Sequence, residues 1–226
     1  QIFEMGNVYE LNDNVPKETF VLAAAVSGEK TLSSWQNKNA KFDFYYIKGI
    51  LDNVFHSLGI LLDIKYVKKT INDFHPARSA AILLADKEIG IIGQIHPEME
   101  RRYDIADTYV FEIDLDIVLD FKVKNPPYQT PSKYPRIIRD MAIVVDKSIE
   151  AEALITAIKA YGGKTVTEVE IFDVYEGENI EPNHKSMAFS LVFETTNRTL
   201  RDEEVNILFD KILKGLGNSF SFYLRK

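Results

Sequence analysis

At 226 residues, 46% of them hydrophobic and 12% aromatic, the chain can bury a sizeable core in one large or two small domains, which excludes general disorder. A net charge of -7 argues against a broad nucleic-acid surface held by phosphate contacts alone, and the lack of cysteine rules out disulfides, thiolate metal sites and cysteine nucleophiles. No apolar run approaches the roughly 20 residues of a membrane span, the longest being broken by Gly90 and Gly93.

The first stretch, "QIFEMGNVYEL", has no initiator Met or signal peptide and alternates like a strand already under way. It reads as the start of a fragment cut from a longer, cytoplasmic chain. "NVYEL" and "FVLAAAVSG" read as strands. "DFYYIKGILDNVFHSLG" then sets Ile47, Ile50, Leu51, Val54, Phe55 and Leu58 at helical spacing, with Asp43 as N-cap and Gly59 as stop. "SAAILLADKEIGIIGQI" is a hairpin around Asp86-Lys87-Glu88, and "HPEMERRYDI" a short helix with Pro97 in its first position. "TYVFEIDLDIVL" alternates throughout and is expected to be one strand. Val110, Glu112, Asp114 and Asp116 would take one face, and Phe111, Ile113 and Leu115 the other.

The clearest break is "DFKVKNPPYQTPSKYP", whose adjacent prolines can neither continue a helix nor donate to a ladder. Domains are therefore expected over 1–119 and 133–226, joined by a linker over 120–132. After it, "RDMAIVVD" is a strand and "SIEAEALITAIKAYGG" a helix burying Leu154, Ile155, Ile158 and Tyr161. "VTEVEIFDVYEG" and "MAFSLVFET" are strands around a loop. "TLRDEEVNILFDKILKGLG" is a helix opened by Thr199 and Asp202 as a capping-box-like pair, and "SFSFYLRK" a last strand. The order is β-α-β-β-α-β, the ferredoxin-like pattern. The fold class is α+β.

Both helices of that pattern cover one face of the sheet and leave the other open. Alternation puts Phe220, Phe222 and Leu224 toward the helices, with Ser219, Ser221, Tyr223 and Arg225 on the open side. On the second strand, Val169 and Ile171 go in, while Glu168, Glu170 and Phe172 come out. An open sheet with exposed aromatics can stack unpaired RNA bases. Exposed aromatics equally pad a domain interface.

Enzymatic signatures are missing: no P-loop, dinucleotide fingerprint or nucleophile elbow occurs. "YGGK", at 161–164, follows a helix C-terminus, the wrong pole for phosphate. Two of the four histidines sit in the matched pairs His75-Pro76 and His96-Pro97, at element boundaries, with no third ligand at metal spacing. Asp202, Glu203 and Glu204 fit a helical first turn better than a catalytic carboxylate pair.

"DFYYIKG", "FHPARSAAILL…IGIIGQIHPEMERRYDI" and "VFEIDLD" together resemble the non-catalytic, class II-synthetase-like domain near the end of bacterial phenylalanyl-tRNA synthetase beta chains. "PSKYPRIIRDMAIVVD…GGKTVTEVEIFDVYEG…KSMAFSLVFETTNRTLRDEEV" resembles the ferredoxin-fold anticodon-binding domain that ends the same chains. The resemblance implies an antiparallel class II-synthetase-like sheet with helices, followed by the ferredoxin-like domain. It also implies an α2β2 ligase using ATP and Mg2+, with the chemistry in the alpha subunit and no cofactor in this stretch. In agreement, neither an "F-R-x-E" motif nor a Gly-rich motif ending in Arg is present. Editing modules would lie upstream.

On this resemblance the second domain meets the anticodon stem-loop of tRNA(Phe). Arg139 is expected on phosphate or a base edge, Phe172, Tyr175 and Tyr223 in stacking, Lys185 and Arg198 on phosphates, and Ser186 in a polar contact. Arg139 and Asp140 are equally an internal ion pair, Tyr175 equally closes its loop against Gly177, and Arg198-Thr199-Leu200 is equally capping architecture. Two rival readings remain: a protein-interaction module without RNA contact, and an independent enzyme.

Overall fold

The computed structural model describes residues 1–12, 14–30, 40–60, 62, 64–105, 107–121, 128, 130 and 132–225. They form two compact units, Gln1–Tyr128 and Gln129–Lys226. Most of the expected linker, 120–132, lies outside the described residues, although Asp120 itself ends a helix.

The first unit is a six-stranded sheet in the order β1-β2-β6-β5-β4-β3, antiparallel at every pair. β1 (Ile2–Asn12) and β2 (Val15–Val26) form a hairpin in unbroken register from Ile2 opposite Ala25 to Asn12 opposite Val15. α1 (Phe44–Ser57) starts where the Asp43 carboxylate accepts the Tyr46 N–H at 2.7 Å and satisfies one of the free donors of the first turn. Beyond its C-cap, Gly59 takes φ +73°, which costs an L side chain but not glycine. Ile47, Leu51 and Phe55 are the fully buried stripe. A strand not anticipated from the sequence follows, β3 (Ile64–Lys68). β4 (Phe74–Leu84) and β5 (Lys87–Ile95) turn through Ala85 and Asp86, both at positive φ, as a two-residue hairpin with right-handed twist requires.

The two His-Pro pairs are backbone devices. His75 lies within β4, where pairing skips from Phe74–Ile95 to Ser79–Gly93, and its Nδ1 accepts the Ala77 N–H at 3.1 Å. His96 caps α2 (Pro97–Tyr103), its Nδ1 accepting the Glu98 N–H at 3.2 Å. Each imidazole occupies an amide donor near the proline, which has none to offer.

"TYVFEIDLDIVL" is not a single strand: β6 (Tyr109–Asp114) gives way to α3 (Leu115–Asp120). The Asp114 carboxylate accepts the Ile117 N–H at 3.0 Å and so starts the helix. Asp116 therefore leaves the strand face and accepts the Phe20 N–H at 3.0 Å. Phe111, Ile113 and Leu115 stay buried as expected, because helix and strand both deliver them to the core.

The second unit contains β7 (Ile137–Asp146), α4 (Ala151–Gly162), a 3-10 turn (Gly163–Thr165), β8 (Val166–Tyr175), β9 (His184–Phe193), α5 (Asp202–Ser219) and β10 (Phe222–Leu224). The four strands lie in the order β10-β7-β9-β8, the ferredoxin-like arrangement. Met141, Ile143, Val145, Met187, Phe189, Leu191 and Phe193 meet Leu154, Ile158, Val205, Ile212 and Leu216 in the core. α4 and α5 touch closely because Gly215 has no Cβ; one built there would stand 2.5 Å from the Tyr161 ring.

Two boundaries differ from expectation. α5 begins at Asp202 with Arg201 as N-cap, and Glu204, not Thr199 with Asp202, closes the cap by accepting the Arg201 N–H at 3.0 Å. The final strand is short because α5 runs through Ser219, so Ser219 is helical and Leu224 is half-exposed at the rim.

Candidate nucleic-acid interface

On the face of the second sheet away from α4 and α5, strand register sorts side chains into rows. Tyr223 on β10, Val144 on β7, Ser186 on β9 and Tyr175 on β8 form one row. The Arg225 N–H donates to the Ala142 carbonyl, and Ala142, Ala188 and Asp173 continue the next row. Beyond it come Asp140, Ser190 and Glu170. The floor is thus small in the middle and aromatic at both rims.

Arg225 spans that floor. Its guanidinium sits 4.7 Å from the centroid of the Tyr175 ring, a cation–π contact. The methyl groups of Ala142 and Ala188 leave the path clear. Val144 is fully buried and Ser186 nearly so, although both lie on the face away from the helices. Tyr223 remains 43% exposed and Phe172 57% exposed, so rings are available at the surface. Phe172 owes its exposure to a break in register: Ile171 pairs with Phe189 and Asp173 with Ala188, leaving Phe172 unpaired between them.

The structure gathers some of the sequence-predicted residues and disperses others. Tyr175, Ser186 and Tyr223 share one row, and Phe172 stands at its edge. Tyr175 also closes its loop, since a Cβ at Gly177 would meet the phenol oxygen at 2.3 Å. Arg139 shares the parity of Met141 and Ile143, so it faces the helices, where its Nη2 donates to Asp202 at 2.6 Å. Its partner is not Asp140, which sits on the open face. Lys185 likewise has the helix-side parity of Met187, and its Nζ donates to the Lys147 carbonyl at 3.1 Å. Arg198 grips Glu204 through two hydrogen bonds of 2.7 Å each. The paired guanidinium holds the Glu204 carboxyl down to about 2, with the Arg201 N–H adding to the effect.

Arg225 belongs to no sequence motif yet completes the site. The alternation of Ser221, Tyr223 and Arg225 had already placed it on this side. Chemically, the site offers two π-faces, a guanidinium that can stack or pair with phosphate, and in Asp173 a carboxylate able to accept from a base edge. Asp140, Glu170 and Asp173 make the rest of the face acidic. Among the described residues, no group of three His, Asp or Glu side chains converges as a metal site would.

Two family patterns match the chain: "Phenylalanyl tRNA synthetase beta chain CLM domain" over residues 1–115 and "Ferredoxin-fold anticodon binding domain" over residues 132–225. The phenylalanine–tRNA ligase beta subunit of Bacillus subtilis is 40% identical over 226 residues, 99% of this chain and 28% of that protein. That of Carboxydothermus hydrogenoformans is 40% identical over 217 residues, 95% of this chain and 27% of that protein. In Listeria monocytogenes the figure is 34% over 226 residues, 99% of this chain and 28% of that protein. The chain thus spans little more than a quarter of these relatives.

Proposed function

The chain belongs to the phenylalanyl-tRNA synthetase beta-chain family, and from that premise we propose that it works as a piece of a phenylalanine–tRNA ligase beta subunit. Its second unit holds the anticodon stem-loop of tRNA(Phe). Its first unit scaffolds a catalytic alpha subunit in an α2β2 assembly.

The observation that carries the RNA reading is the Tyr175–Ser186–Val144–Tyr223 row with Arg225 over Tyr175. Anticodon bases are unstacked and present π-faces, which suit the two tyrosine rings. A base entering beside Tyr175 stacks on the phenol while Arg225 closes over it or turns to the neighbouring phosphate. Stacking of one base contributes roughly 1–3 kcal/mol, so a few rings suffice for a modest anticodon contribution.

The scaffold reading rests on apolar surface. Phe3, Met5, Leu11 and Tyr45 are exposed, and Phe3, Met5 and Leu11 share one face of the edge strand β1. Such a stripe suits a partner's apolar face. ATP and Mg2+ are assigned to the alpha subunit, where the chemistry would take place. The cytoplasm is the compartment of this reading. No described helix is long and apolar enough to cross a membrane.

Aminoacylation by alpha with full-length beta carrying Tyr175→Ala or Arg225→Ala tests the proposal. A raised KM for tRNA with unchanged amino-acid-dependent ATP–pyrophosphate exchange supports it. An unchanged KM in both variants overturns the RNA role. The second reading, an interaction module without RNA contact, is favoured by the acidity of residues 1–118, which hold 12 Lys and Arg against 18 Asp and Glu. It would stand if both variants bound tRNA normally while Phe3→Asp lost alpha.

A further inference from the structure

The sheet of the first unit carries a cleft outside the proposed RNA surface, and it shares Phe3 with the exposed β1 stripe. Its volume is about 380 Å3, and it lies over β1, β2, β6 and β5. The floor is made of Ala23, Ala25, Val110 and Ile91, and Phe74 closes one side. Register places Glu4, Ala23, Glu112 and Ile91 in a single row across four strands. Two carboxylates therefore flank one methyl group inside an otherwise apolar depression. No described residue neutralises either of them.

This combination selects by chemistry. The exposed carboxylates of Glu4 and Glu112 attract a positive charge at the rim of the cleft. A bare metal ion gains little, because only two oxygen-bearing side chains line the cleft and apolar walls cannot replace its hydration shell. An organic cation gains twice, burying its apolar body on the alanine floor while its charged end meets Glu4 and Glu112. The size agrees, since small-molecule pockets run from roughly 300 to 1,000 Å3. A stable protein interface needs about 800 Å2 on each partner, far more than one such depression offers.

We propose that this cleft binds a small apolar ammonium compound of about the size of an arylalkylamine. The test uses the 226-residue chain, with phenethylamine as probe and 3-phenylpropionate as its anionic counterpart, followed through backbone amide NMR shifts. Phenethylamine is expected to shift Ala23, Ala25, Ile91 and Val110 saturably, and 3-phenylpropionate to leave them in place. Glu112→Gln and Glu4→Gln, both exposed and harmless to folding, are expected to weaken phenethylamine at least fivefold together. Ala25→Leu should fill the floor and abolish the shifts. If that variant disturbs the fold, the glutamine pair still decides. Equal binding of the two probes, no saturable shift, or full affinity in the glutamine pair overturns the proposal.

Discussion

Arg225, one residue past β10, and Tyr175, in β8, stand at opposite edges of the four-stranded sheet, yet the guanidinium lies 4.7 Å from the ring centroid. Three inter-strand steps separate those edges, roughly 14 Å of backbone. Only a long side chain crossing a floor of alanines can make that contact.

Ala188→Leu should lift Arg225 off the Tyr175 ring while the helix-side core keeps its packing. Affinity for an anticodon stem-loop, measured by fluorescence anisotropy with the alpha–beta assembly, should fall roughly 5- to 150-fold, the equivalent of one lost stacking contact of about 1–3 kcal/mol. Arg225→Lys should fall nearly as far, because an ammonium does not present a planar stacking surface.

Arg139 and Arg198 are expected to matter for stability alone. Their partners, Asp202 and Glu204, belong to the first turn of α5. Arg139→Ala and Arg198→Ala should each lower stability only slightly, as exposed ion pairs do, and leave the KM for tRNA unchanged. Urea midpoints and aminoacylation kinetics measured together separate the two effects.

The same pair sets a pH dependence. In the folded chain Glu204 titrates at about 2, below its ordinary value, because of the Arg198 hydrogen bonds. Its contribution is therefore present above the unfolded value near 4.5 and is lost as pH falls through about 2. Denaturation midpoints taken from pH 6 to pH 2 should drop less steeply for Glu204→Gln than for the unaltered chain.

Gly90→Ala should destabilise the first unit. A Cβ at this position would stand 2.1 Å from the Glu112 carbonyl oxygen, a backbone atom that yields only if β5 and β6 separate. A loss of about 1–3 kcal/mol in urea denaturation is expected. Asp43→Ala, which removes the N-cap of α1, should cost about 0.5–2 kcal/mol in the same measurement.

Periodicity carried the elements that obey one rule at a time. α1 was legible because Asp43, an apolar stripe and Gly59 agree with one another. β3 was missed because "IKYVK" is a short edge strand whose lysines break up the apolar signal, even though Ile64 and Tyr66 alternate with Lys65. The β6–α3 junction was hidden because Phe111, Ile113 and Leu115 satisfy both periods, and only the Asp114 side chain marks the change. In the candidate interface, the tyrosines followed from strand parity. Arg139 and Lys185 carry the right charge but a parity that sends them toward the helices. Arg225 is the opposite case, favoured by parity and by no motif. Which cation is already held by a carboxylate depends on tertiary packing, and no local pattern encodes it.

The interruptions in β8 have a consequence for the life of the chain before it meets any partner. β8 is an outer strand, and its pairing is offset between Val166 and Glu168 and again between Ile171 and Asp173. A second molecule trying to zip along this rim would find its amides out of step within a few residues. Crowded nascent copies are thereby discouraged from polymerising through the strand that displays the exposed Phe172. The irregularity that offers an aromatic ring to a partner also guards against the hazard of displaying it.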